Sequence, residues 1–143
     1  MTVSAILKEK GDEIFSLSPG QSLSEAAEML AEKRVGALLV LDGGRMAGIL
    51  SERDIVRALA AKGASVLESP VADTMTRKVR HCEPSDTVSR VMEIMTEGRF
   101  RHLPVMEGGD LVGFISIGDV VKRRIGEVQQ EAESIREYVA AGG

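Results

Sequence analysis

The 143-residue sequence predicts a mixed α/β (α+β) fold: two β-α-β-β-α motifs related by pseudo-twofold symmetry, then a long C-terminal helix. Three observations predict it. Shifted by 65 residues, the chain matches itself without a gap, Ile14–Ala58 overlying Val79–Arg123. Each copy alternates between the apolar spacing of a helix and short apolar runs broken by paired glycines. From the end of the second copy onward, Val121, Ile125, Val128, Ala132, Ile135 and Val139 recur at alternating steps of four and three, the seam of an amphipathic helix.

The repeat is carried by identical pairs: Pro19/Pro84, Ser24/Ser89, Glu28/Glu93, Arg34/Arg99, Leu38/Leu103, Val40/Val105, Gly43/Gly108, Gly44/Gly109, Gly48/Gly113, Ser51/Ser116 and Asp54/Asp119. Such a match within one chain indicates duplication.

Each copy opens with a short extended segment, Ile14–Leu17 or Val79–Cys82, and turns at Pro19 or Pro84. Ser22 followed by Glu25 predicts a capping box for the first helix. Leu23, Ala26, Ala27 and Leu30 give that helix its apolar face, and Val88, Val91, Met92 and Met95 repeat it. Strands follow at Ala37–Leu41 and Leu103–Met106. Glycine pairs at 43–44 and 108–109 predict hairpin turns, because glycine tolerates positive φ. Strands at Met46–Leu50 and Leu111–Ile115 run into helices at Ser51 and Ser116. Similar short elements, VSAIL (3–7) and VADTM (71–75), precede the copies, and Gly63–Pro70 reads as a linker. The expected division is 1–65 for the first motif, 66–126 for the second and 127–143 for the helical extension, all in one module. The C-terminal seam either packs on its own domain or pairs with another subunit; the helix outruns what a small domain can cover, which favours the subunit contact.

Composition narrows the function. A net charge of −4, from 18 basic and 22 acidic residues, weighs against nucleic acid and anionic membrane surfaces. With one Tyr, three Phe and no Trp, platforms for stacking bases are scarce. The longest apolar run, VGALLVL, is too short to cross a bilayer, and MTVSAILKEKGDE carries charges where a secretion signal would be apolar. Cytoplasm is the expected location. Cys82, the only cysteine, reads as an inert core thiol. His81 and His102 lack acidic or thiol neighbours at ligand spacing, so no metal is expected. No acid–base pair or phosphate loop is legible, so no enzymatic activity is expected.

GILSERD (48–54) and GFISIGD (113–119) carry the informative pattern. Ser-x-x-Asp is a capping signature, with the acid in the first turn complementing the helix dipole, and that alone explains both copies. The same geometry suits a ligand: the glycine permits close approach, the helix start offers N–H groups, and the Asp can accept both hydroxyls of a cis-diol.

The duplicated pattern resembles the cystathionine-β-synthase (CBS) domain pair, or Bateman module. The residues that carry it are GALLVLDGGRMAGILSERDIVRAL and RFRHLPVMEGGDLVGFISIGDVVKR, with VADTMT before the second. The resemblance covers nearly the whole chain and looks like a stand-alone pair. It implies a regulatory protein that binds AMP, ADP, ATP, S-adenosylmethionine or NAD(H) in clefts between two motifs, usually as a homodimer acting on a partner protein. Asp54 and Asp119 match the family's ribose-binding acid, and Ser51 and Ser116 the neighbouring hydroxyl. Ile14–Ser16 and Val79–His81 match the backbone lining the adenine pocket, and Arg101 and His102 the basic pair that meets phosphate. The first copy has Gly36-Ala37 opposite Arg101-His102, and Arg53 where the second has Gly118, so the two clefts are expected to differ. A second class of function, an interaction module with vestigial clefts, is separated from the first by whether any nucleotide binds.

Overall fold

A computed structural model describes residues 1–11 and 13–142. The elements are α1 (Val3–Lys10), β1 (Ser16–Leu17), α2 (Leu23–Lys33), β2 (Ala37–Asp42), β3 (Arg45–Ser51), α3 (Glu52–Lys62), α4 (Val88–Gly98), β4 (His102–Glu107), β5 (Asp110–Ser116) and α5 (Ile117–Gly142), with short 3-10 turns at Ala64–Glu68 and Val71–Asp73. The fold is mixed α/β, with a three-stranded and a two-stranded sheet.

The chain forms two compact units. One runs from Glu13 to Arg80; the other joins α1 to the chain from His81 onward. In the first, β2 lies between parallel β1 and antiparallel β3, with Leu17, Leu23, Ala26, Leu30, Leu38, Val40, Leu50 and Ile55 in the core. In the second, β4 and β5 pair antiparallel over Cys82, Val88, Val91, Met95, Leu103, Val105, Ile115 and Val120. Each residue of the second list stands 65 positions after one of the first, so the duplication extends to the packing. The register slip after Val40 recurs after Val105, and the turn glycines 43–44 and 108–109 all take positive φ, the twist a two-residue hairpin needs.

The short elements ahead of the repeats pack in exchanged positions. Val71 and Met75 join the core of the first copy, whereas Val3 and Ile6 of α1 join that of the second. Gly48 lies against Met75 and Thr76, and a Cβ there would stand 2.6 Å from the Thr76 carbonyl oxygen. A Cβ at Gly113 would stand 2.5 Å from Leu7 Cδ2. At both glycines the space a Cβ would take is filled by protein.

Other expectations need correction. The segment 79–82 contributes one bridge, Cys82 to Val105, not a strand. Cys82 N–H donates to the Pro104 carbonyl and Met106 N–H donates to that of Cys82, but Pro104 has no N–H to extend the ladder toward His81. Leu39 holds the equivalent place in the first copy, where Ser16 and Leu17 both pair. The stretch expected to be a linker holds a 3-10 turn with Val66 buried. Ser22 Oγ accepts the Glu25 N–H, but the Glu25 carboxylate accepts from the Gln21 amide instead of completing a capping box. Cys82 is an inert core thiol: burial pushes its pKa up to about 12, with the Asp86 charge adding and a backbone hydrogen bond opposing.

Candidate functional site

The two Ser-x-x-Asp sequences form two corners where a strand passes directly into a helix. In the first, β3 ends at Ser51 and α3 begins at Glu52. Ser51 Oγ accepts the Asp54 N–H at 3.2 Å, and Asp54 Oδ2 accepts the Ser51 N–H at 3.0 Å, a complete capping box. Glu52 N–H donates to the Gly36 carbonyl at 3.0 Å, fixing the start of β2 beside the corner. The capping reading is therefore satisfied outright, and a ligand would share groups that already shape the helix start.

The second corner repeats this frame. Ser116 N–H donates to Asp119 Oδ2 at 2.8 Å, and Ser116 Oγ accepts the Asp119 N–H at 3.2 Å. The Ser116 hydroxyl also lies 3.0 Å from Oδ2. Ile117 N–H donates to the Arg101 carbonyl at 2.7 Å, as Glu52 does to Gly36. Among the described residues one cation has no counterpart in the first corner: Lys10 Nζ, at the end of α1, donates to Asp119 Oδ2 at 2.7 Å and to the Phe114 carbonyl at 2.8 Å. Burial raises the pKa of Asp119, but the Lys10 hydrogen bond, the Ser116 N–H, the Lys10 charge and the Ser116 hydroxyl outweigh it and hold the carboxyl below its usual range.

His102 pairs with Ser116 across β4 and β5, and its ring stacks on Phe114 at 5.6 Å between centroids. Arg101 is exposed at the mouth of the second corner, tied there by its backbone. His81 precedes the single bridge at Cys82; Val79 falls within the compact unit of the first copy. Ser16 pairs with Leu39 on β2, Ile14 lies just before that pairing, and Arg53 is exposed in the first turn of α3. Arg123 pairs with Glu9 of α1, and Arg124 with Glu127.

Sequence reasoning missed Lys10. Nothing near Asp119 in sequence announces it, because the contact depends on α1 packing with the second copy rather than the first. A cavity of about 370 Å³ lined by Thr2, Ser4, Glu83, Pro84 and Glu107 holds neither Ser116 nor Asp119. Among the described residues no three His, Cys, Asp or Glu side chains gather as a metal site, and no helix is long and apolar enough to cross a membrane.

The family model described as CBS domain matches residues 3–61 and 71–126. The CBS domain-containing protein CBSX3, mitochondrial, of Arabidopsis thaliana is 32% identical over 150 residues, an alignment covering 99% of this chain and 73% of that protein. Among solved structures, a CBS-domain containing protein from Agrobacterium tumefaciens matches with a TM-score of 0.85 at 46% identity, over 87% of this chain and 99% of that one. CBSX2 in complex with AMP matches with a TM-score of 0.72 at 26% identity, over 87% and 96% of the two chains.

Proposed function

The chain belongs to the CBS-domain family, with two copies of the domain, and from that premise we propose that it is a non-enzymatic regulatory module binding an adenine nucleotide (AMP, ADP, ATP or NAD(H)) at its Ser-x-x-Asp corners. The observation that carries this reading is the doubled corner. Each has a first-turn carboxylate able to accept from a ribose diol, beside a serine hydroxyl and a strand start held by one backbone hydrogen bond. The AMP complex of CBSX2 supports the class of ligand.

In this reading Asp54 and Asp119 hold ribose, helped by Ser51 and Ser116. Ile14 and Ser16 line the adenine pocket of the first corner, and His81 that of the second. Arg101 and His102 meet phosphate at the second corner and Arg53 at the first, so the sites are unequal and the second is the tighter. Neither uses a metal. Binding regulates by favouring one of two arrangements, and only to the extent that its affinity for them differs. The regulated partner is a protein. The module works in the cytoplasm as a homodimer, its subunits pairing through the apolar seam of α5.

Thermal unfolding with AMP, ATP and NADH tests the proposal. The wild type is expected to be stabilised by at least one of them, and Asp119→Ala to lose most of that gain. No stabilisation by any of the three would favour a module that serves only protein interaction.

A further inference from the structure

We infer that Lys10 is an internal occupant of the second corner: a tethered cation that a ribose must displace from Asp119, and that makes this corner select nucleotides over uncharged nucleosides. The inference rests on the nucleotide reading above and adds a specificity determinant to it.

Lys10 is presented by a docked helix rather than by a loose terminus. Val3 and Ile6 anchor α1 in the core, Glu9 pairs with Arg123, and Gly11, with φ of 89°, closes the helix just past Lys10. Asp119 Oδ2 already receives the Ser116 N–H and lies beside the Ser116 hydroxyl, and Lys10 is the third donor around this oxygen. A vicinal diol seated on this carboxylate brings a hydroxyl into the place of the ammonium. Among the described residues the first corner has no such competitor. There the residue matching Phe114 is Ile49, whose N–H and carbonyl both pair with the backbone of Thr76, and among the described residues no cation pairs with Asp54.

Charge then decides what the exchange costs. A neutral nucleoside removes Lys10 from its counter-ion and offers none in return. A nucleotide brings a phosphate that the released ammonium can meet on a flexible four-carbon stem. Lys10 therefore opposes adenosine and is compensated for AMP. The pair is partly exposed, its side chains 34% and 26% accessible, so the bias is modest.

The test follows the amide of Gly118, which stands only in the second corner, by NMR during titration of the full chain with adenosine or AMP. In Lys10→Met, adenosine is expected to saturate this signal at roughly 2- to 5-fold lower concentration than in the wild type. AMP should gain less, so the preference for AMP shrinks, and Lys10→Arg should restore it. Equal or weaker adenosine binding in Lys10→Met, with AMP still moving Gly118, overturns the inference and leaves the nucleotide reading standing. If neither compound moves any amide in any variant, both fall together.

Discussion

Lys10 and Asp119 are 109 residues apart in sequence and 2.7 Å apart in space, joined by an ion pair that fastens the N-terminal helix to the first turn of the C-terminal one. Glu9 with Arg123, and the terminal ammonium of Met1 with Glu127, continue the contact along α5. The N-terminal segment is thus a structural part of the second corner.

The pair makes stability depend on acid. The folded-state pKa of Asp119 is depressed below the ordinary value of 3.8, so its contribution is present above that value and lost as pH falls through the lower folded-state pKa. Lys10→Met is expected to cost up to about 1 kcal/mol near neutral pH, partial exposure limiting the figure. The deficit against the wild type should shrink as pH drops below 4, and urea unfolding of both proteins at pH 7 and pH 3 measures it.

Gly48 and Gly113 are identical in sequence and unequal in what opposes them. At Gly48 a methyl group meets a backbone carbonyl, itself fixed by two hydrogen bonds to Ile49. At Gly113 it meets the end of a leucine side chain, which can turn aside. Gly48→Ala is expected to cost about 1–3 kcal/mol and Gly113→Ala clearly less, read from denaturant midpoints.

Arg34 and Arg99 end α2 and α4 in the left-handed region, with φ of 55° and 57°. A side chain is strained there and glycine is not. Arg34→Gly or Arg99→Gly should therefore stabilise by about 0.5 kcal/mol, once the entropy glycine loses on folding is deducted. A fall in thermal midpoint for both would contradict this.

The seam of α5 carries the dimer proposal. Ile125, Val128 and Ile135 are each about half exposed or more along a helix roughly 39 Å long at 1.5 Å per residue. Placing glutamate at Ile125 and Ile135 together should convert a dimer to monomer in sedimentation velocity. A wild-type monomer, or a dimer indifferent to both changes, would remove the seam from the account.

Local chemistry was readable in the sequence; long-range exchange was not. The hairpins follow from paired glycines, the helix starts from Ser51 and Ser116, and the eight matched core positions from apolar spacing within each copy. The missing strand at 79–82 was also legible in principle, since Pro104 advertises its lack of an N–H, but only once its pairing partner is known. Lys10 at Asp119 was not legible, because VSAIL and VADTM resemble each other and neither states which copy it will cover. The corners were legible as caps from sequence, and the capping bonds observed are those a cap requires.

A crystal structure of the protein grown with AMP tests the central claim most directly. The ribose hydroxyls are predicted to lie within hydrogen-bond distance of the Asp119 or Asp54 carboxylate, with Lys10 withdrawn from Asp119 wherever that corner is filled. AMP bound away from both carboxylates, for instance in the cavity beside Thr2 and Glu83, would contradict the claim.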